Sequence, residues 1–185
     1  MYAKQMLKQS LPLIILCGLG AILTGSTLSL MKNLFLEIPG LIVVIPAIIA
    51  MRGNISTALG SRLGSAYHLG LIDADNLWND NLKQNVLGSI ILSIIVSILI
   101  GILAYVSSLL MGVTPNFFKL VIIVLVAGII SGLILTFLTI LIIYLVFKRG
   151  YDPDNITGPT LATFGDIITM LCIFGSAILF AGGIL

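Results

Sequence analysis

The sequence predicts an all-α integral membrane fold, five transmembrane helices with a broken or kinked second helix, in a single transmembrane domain over 1–185. Three observations carry that expectation. The chain is 59% hydrophobic and only 9% charged, with a mean hydropathy of +1.22, outside the range of a water-soluble domain. Four apolar runs reach the roughly 20 residues that a helix needs to cross about 30 Å of hydrocarbon. A fifth run is shorter and interrupted by proline and glycine, a pattern found where membrane helices open their backbone to protein or water. The net charge of +2, nine Lys+Arg against seven Asp+Glu, is too slight to suggest nucleic acid as a partner.

Taken in order, the first span covers about 10–31 behind Lys4 and Lys8. Its apolar run outlasts the roughly 7–15 residues of a secretory signal, so it reads as retained. The second element covers 37–51, with Pro39 and Pro46, stops at Arg52-Gly53-Asn54, and continues as a more polar stretch over 54–71. Asn54 suits the cap of that second half; a short span followed by an ordinary cytosolic helix fits the same residues. The third span, 84–111, carries Ser89, Ser93, Ser97 and Gly101 on one face, and the fourth, 117–147, carries Gly128-x-x-x-Gly132. Small stripes of this kind let membrane helices approach closely and argue for packing. The fifth span, 159–184, restarts at Gly158-Pro159, where the missing proline donor does no harm. Cys17 and Cys172 lie in apolar runs as packing residues, and His68, without a second His or Cys nearby, takes no metal role.

Orientation follows from the basic residues beside the spans. Lys4, Lys8, Arg52, Arg62, Lys83, Lys148 and Arg149 fall on one side, Lys32 and Lys119 on the other. That asymmetry predicts a multi-pass protein of the cell membrane with its N-terminus cytoplasmic and its C-terminus outside. The polar regions 52–83 and 148–158 then lie on the cytoplasmic side.

One residue breaks the apolar pattern. Asp166 sits about two turns into the fifth span, with Thr163 one turn earlier. A charge there costs at least about 2.5–3.5 kcal/mol on insertion scales, so it persists where it faces protein, water or a cation. Carboxylate and hydroxyl oxygens are hard ligands, suited to Mg²⁺, Ca²⁺, Mn²⁺ or protons rather than Zn²⁺ or Cu⁺. Five spans make a thin wall for a pore, so a homodimer is expected, bringing two Asp166 carboxylates towards one axis. Mg²⁺ keeps its waters and is often held by one or two carboxylates, which suits such a pair. Asp152, Asp154 and Asn155 initiate a turn and are placed to collect cations at a cytoplasmic mouth. No catalytic motif is present and no cofactor is expected. Two alternatives remain: an intramembrane enzyme using paired Asp166 across a dimer, and a membrane-anchored interaction subunit.

The run Gly53-Asn54-x-x-x-x-Leu59-x-Ser61-Arg62-Leu63-x-x-Ala66, with Asp152-Pro153-Asp154-Asn155, Pro159 and Thr163-x-x-Asp166, resembles the membrane domain of MgtE-type magnesium transporters. It looks closest to their eukaryotic solute-carrier relatives. The resemblance implies divalent-cation transport, Mg²⁺ foremost, by a homodimer or tandem of five-span units around a central ion pathway. It implies Asp166 as the pore carboxylate, Thr163 facing the same channel, Asn54 lining the pathway from the kinked second span, and Asp152 near the cytoplasmic entrance. Bacterial members often show glycine and glutamine soon after Gly-Asn, where this chain has Ser56 and Ala58. They also usually carry cytosolic magnesium-sensing domains; here the first span follows almost at once, so a single five-helix half without such a sensor is expected.

Overall fold

The computed structural model describes residues 2–72, 78–149 and 153–181, with the backbone alone for 2–10, 13 and 153–156. Six helices follow one another: α1 Tyr2–Leu30, α2 Lys32–Glu37, α3 Leu41–His68, α4 Asp80–Leu110, α5 Phe117–Lys148 and α6 Pro153–Ala181. Among the described residues, four helices are long and apolar enough to cross a membrane, namely α3, α4, α5 and α6 from Thr157; the described apolar part of α1 is Ile14–Leu30.

Three of the helices start where local chemistry supplies a boundary. Gly40 precedes α3 at φ +87°, a left-handed conformation that glycine takes without a Cβ penalty. The Asn79 side chain caps α4 by accepting from the Leu82 N–H at 3.0 Å, and Asn116 caps α5 by accepting from Lys119 N–H at 3.0 Å.

The second element is not broken. α3 runs without interruption from Leu41 to His68, through Pro46, Gly53 and Asn54. A glycine inside a helix costs only about 1 kcal/mol relative to alanine, whereas open backbone groups in hydrocarbon cost several kcal/mol each. Continuity is therefore the cheaper solution. Arg52 is consequently no loop residue; it lies within the helix and is 1% exposed. The last span also begins earlier than the Gly-Pro pair suggests. α6 starts at Pro153, so Pro159 stands inside the helix and Asp166 lies 13 residues from its start, more than the two turns expected.

α5 is the central post. It packs against α3, α4 and α6, while α1 lies outside against α6. The main core joins Leu41, Val44, Ile48 and Met51 of α3 to Leu120, Ile123 and Val124 of α5 and Met170 and Ile173 of α6. A smaller cluster joins Leu59 and Leu63 to Leu82 and Ile143 nearer the other end. Ser89, Ser93, Ser97 and Gly101 are buried, and a Cβ at Gly101 would stand 3.0 Å from the Val121 backbone, so α4 and α5 approach closely as the small-residue stripes predict.

α3 has two contrasting faces. Ile45, Ile48, Arg52, Leu59, Leu63 and Ala66 are buried at helical spacing. The opposite face leaves Ala47, Ala50, Asn54, Ala58, Ser61 and Ser65 exposed. Those exposed residues are small or polar, unlike the leucines and isoleucines that α1 and α4 expose.

Candidate functional site

The site is built where α3 crosses α6. The Gly53 backbone of α3 lies 4.0 Å from the position a Cβ would take on Gly165 of α6. Two glycines back to back let the main chains meet. Asn54 and Asp166 are the next residues along the two helices, and no direct bond joins them. Asp166 is half-buried and forms no hydrogen bond or ion pair with another described residue. A carboxylate left that way in a membrane-crossing helix has ligand capacity to spare.

The other expected residues fall into different places. The Thr163 hydroxyl donates to the Pro159 carbonyl at 3.0 Å, a bond back along its own helix, while its methyl faces Gly20 of α1. Thr163 and Asp166 are one turn apart, so they share one side of α6. Asn54 is exposed on the small, polar face of α3. Asp152 lies outside the described residues, as do the side chains of Asp154 and Asn155. Among the described residues, no group of three or more His, Cys, Asp or Glu gathers as a metal cage. Any cation held here must take oxygen from one carboxylate, an amide, carbonyls and water.

Towards the Pro153 end of α6 a cleft of about 270 Å³ opens between α3, α5 and α6, lined by Thr57, Ser61, Ser65, His68 and Thr157 among others. It is a hydroxyl-rich hollow. Gly60 makes room on its α3 wall, because a Cβ there would stand 3.0 Å from Leu161 and 3.2 Å from Thr157. The Thr157 hydroxyl is buried without a partner among the described residues, a group that water in the cleft would satisfy.

Sequence reasoning missed Arg52 as a structural centre. Its Nη1 donates to Ser93 Oγ at 2.8 Å. Ser93 in turn donates to the Ser89 carbonyl at 2.6 Å, leaving its oxygen lone pairs for the arginine. Among the described residues, Nε and Nη2 have no partner. Gly132 and Gly128 of α5 form the floor, since a Cβ on Gly132 would overlap Nη1 and one on Gly128 would stand 3.6 Å from Nη2. The small-residue stripes of α4 and α5 thus do more than let helices touch; they enclose a charge. The signal was present in the spacing, since Arg52 continues the buried series Ile45, Ile48.

Comparisons with known proteins agree with this architecture. The divalent cation transporter family MgtE matches residues 45–176, from within α3 to near the end of α6. Solute carrier family 41 member 2 of Homo sapiens is 27% identical over 166 residues, covering 84% of this chain and 28% of the relative. The Gallus gallus protein of that name gives the same figures. Solute carrier family 41 member 3 of Rattus norvegicus is 27% identical over 175 residues, covering 85% of this chain and 35% of the relative. The chain therefore spans about a third of the length of the curated relatives it matches. Its apolar helices and a match reaching across four helices lead to one assignment: this is an integral, multi-pass membrane chain that belongs to the MgtE family of divalent cation transporters.

Proposed function

We propose that this chain carries a divalent cation, Mg²⁺ foremost, across the membrane along a path at the α3–α6 crossing, with Asp166 as its carboxylate ligand. The observation that carries the reading is Asp166 itself, half-buried and unpaired among the described residues, nine positions or roughly 14 Å along α6 from the cleft at Thr157. The cleft supplies hydroxyls for a hydrated ion entering from the cytoplasmic side; Asp166 supplies charge where the membrane is driest. Asn54 and Thr163 contribute neutral oxygens around the same path, and Asp152 gathers ions at its mouth.

In this reading α1 is a fifth span, with the N-terminus cytoplasmic and the C-terminus outside, and two copies pair through the small, polar face of α3. Alanine, serine and asparagine give lipid little to pack against, while their size suits a close helix contact or a water-filled path. Two Asp166 carboxylates near one axis then hold an ion that keeps most of its waters.

Purified protein in liposomes loaded with a Mg²⁺-sensitive dye tests the proposal. Wild-type protein is expected to admit Mg²⁺ down its gradient, and Asp166→Asn, which keeps shape and removes charge, to lower the initial rate at least tenfold. Undiminished flux through Asp166→Asn would overturn the role of the carboxylate.

A further inference from the structure

Arg52 is a cation sealed inside the membrane domain, and transport of a cation past it has an electrostatic consequence. The side chain is 1% exposed. It is held by one bond to Ser93, with Nε and Nη2 unpartnered among the described residues, and the surfaces around it are serine hydroxyls and the glycines of α5. No acidic side chain among the described residues pairs with it. An arginine does not shed its proton to escape such a place. Its field therefore acts on whatever charge passes nearby.

The pathway passes nearby. Arg52 precedes Gly53, the residue whose backbone meets Gly165 beside Asp166. The guanidinium points towards Ser93 of α4 and towards Gly128 and Gly132 of α5, on the side of α3 away from the crossing. It is too far to neutralise Asp166 by contact, yet within the range over which charges in a membrane domain are felt.

We propose that Arg52 is the residue that sets how tightly the pathway holds its ion: a fixed positive charge behind α3 whose repulsion weakens cation binding at Asp166 and speeds release. The socket of Ser93, Gly128 and Gly132 serves to keep that charge at a constant distance. This inference rests on Asp166 being the ligand of a transported cation. Across about one helix diameter, about 10–12 Å, and with an effective dielectric of about 20–40, repulsion of a divalent ion by one unit charge corresponds to at least about tenfold in affinity.

The test is the half-saturating Mg²⁺ concentration for flux in proteoliposomes, measured beside wild type and Asp166→Asn. Arg52→Met, close in volume and uncharged, is expected to lower half-saturation at least tenfold and to lower maximal flux as release slows. Ser93→Ala removes the hydrogen bond and keeps the charge, so its half-saturation should stay within about threefold of wild type. An arginine of purely structural importance predicts that both variants lose maximal flux with half-saturation unmoved, and that result overturns the proposal. Should Arg52→Met yield no folded protein, Ser97→Asp sets a negative charge beside the intact guanidinium, since Ser97 Oγ and Arg52 Nη2 both border the space above Gly128, and must also lower half-saturation; no change there overturns the proposal equally. A wild-type protein without flux, or Asp166→Asn with undiminished flux, sinks both this inference and the transport reading beneath it. Asp166-dependent flux that is indifferent to Arg52 sinks this inference alone.

Discussion

Adding one methyl group at Gly132 should cost more than almost any other glycine-to-alanine change in the chain. A Cβ there would overlap Nη1 of Arg52 and stand 3.2 Å from both its Cζ and Ser93 Oγ. The guanidinium must move, and the 2.8 Å bond to Ser93 breaks as it does. Loss of a hydrogen bond to a charged group costs about 1.5–3 kcal/mol, and overpacking about 1–3 kcal/mol. Alanine returns up to about 1 kcal/mol of helix propensity. The net expectation is a loss of about 1.5–6 kcal/mol, read by denaturant or thermal unfolding of the purified protein in detergent. Gly175→Ala is the control, because a Cβ there meets nothing within 4 Å, and it should be neutral or slightly stabilising. The mechanism makes a sharper demand on the pair. In an Arg52→Ala background the obstruction is gone, so Gly132→Ala should then cost almost nothing, giving a coupling of about 1.5 kcal/mol or more. Costs that add to within about 0.5 kcal/mol would show that the two residues are independent and that the socket is misread.

Two other positions allow similar reasoning. Gly20→Ala would drive a methyl into Thr163 and to 3.2 Å from Ile167; a loss of about 1–3 kcal/mol is expected, with faster amide hydrogen exchange over Ile14–Leu30 as α1 loosens from α6. Gly40 and Gly112 both have positive φ, +87° and +77°, but only at Gly40 would a Cβ also stand 2.6 Å from Ser108 Oγ. Gly112→Ala should therefore cost the backbone strain alone, about 1–2 kcal/mol, and Gly40→Ala measurably more in the same unfolding assay.

Much of the architecture was legible because hydrocarbon imposes simple rules. The third and fourth spans, expected at 84–111 and 117–147, appear as Asp80–Leu110 and Phe117–Lys148, with asparagine caps at Asn79 and Asn116. Their small-residue stripes face one another, as four-residue spacing requires. Asp166 was conspicuous for the same reason, as a charge among apolar neighbours. The errors arose where local signals competed with burial. Gly53-Asn54 has the composition of a helix boundary, yet the helix continues because the buried stripe of α3 extends on both sides of it. Counting Arg52 among loop charges followed from that one misplaced break. Gly158-Pro159 was likewise read as a start because proline favours first turns, although α6 begins at Pro153. What no spacing rule supplies is which charge a glycine pair encloses, since that depends on how three helices meet.

The socket around Arg52 also dictates an order of events during synthesis. The arginine belongs to α3, but Ser93 follows it by 41 positions in the chain, and Gly128 and Gly132 follow later still. When α3 first leaves the ribosome, the residues that will enclose its charge have not been made. Central placement of that charge in lipid costs about 2.5–3.5 kcal/mol on insertion scales. The helix is thus poorly held in the bilayer until α4 and α5 arrive beside it. Membrane integration of this domain is accordingly cooperative, with α3 settling to its final depth only as its later neighbours close around it, and truncation before residue 132 should leave α3 shallow and open to degradation.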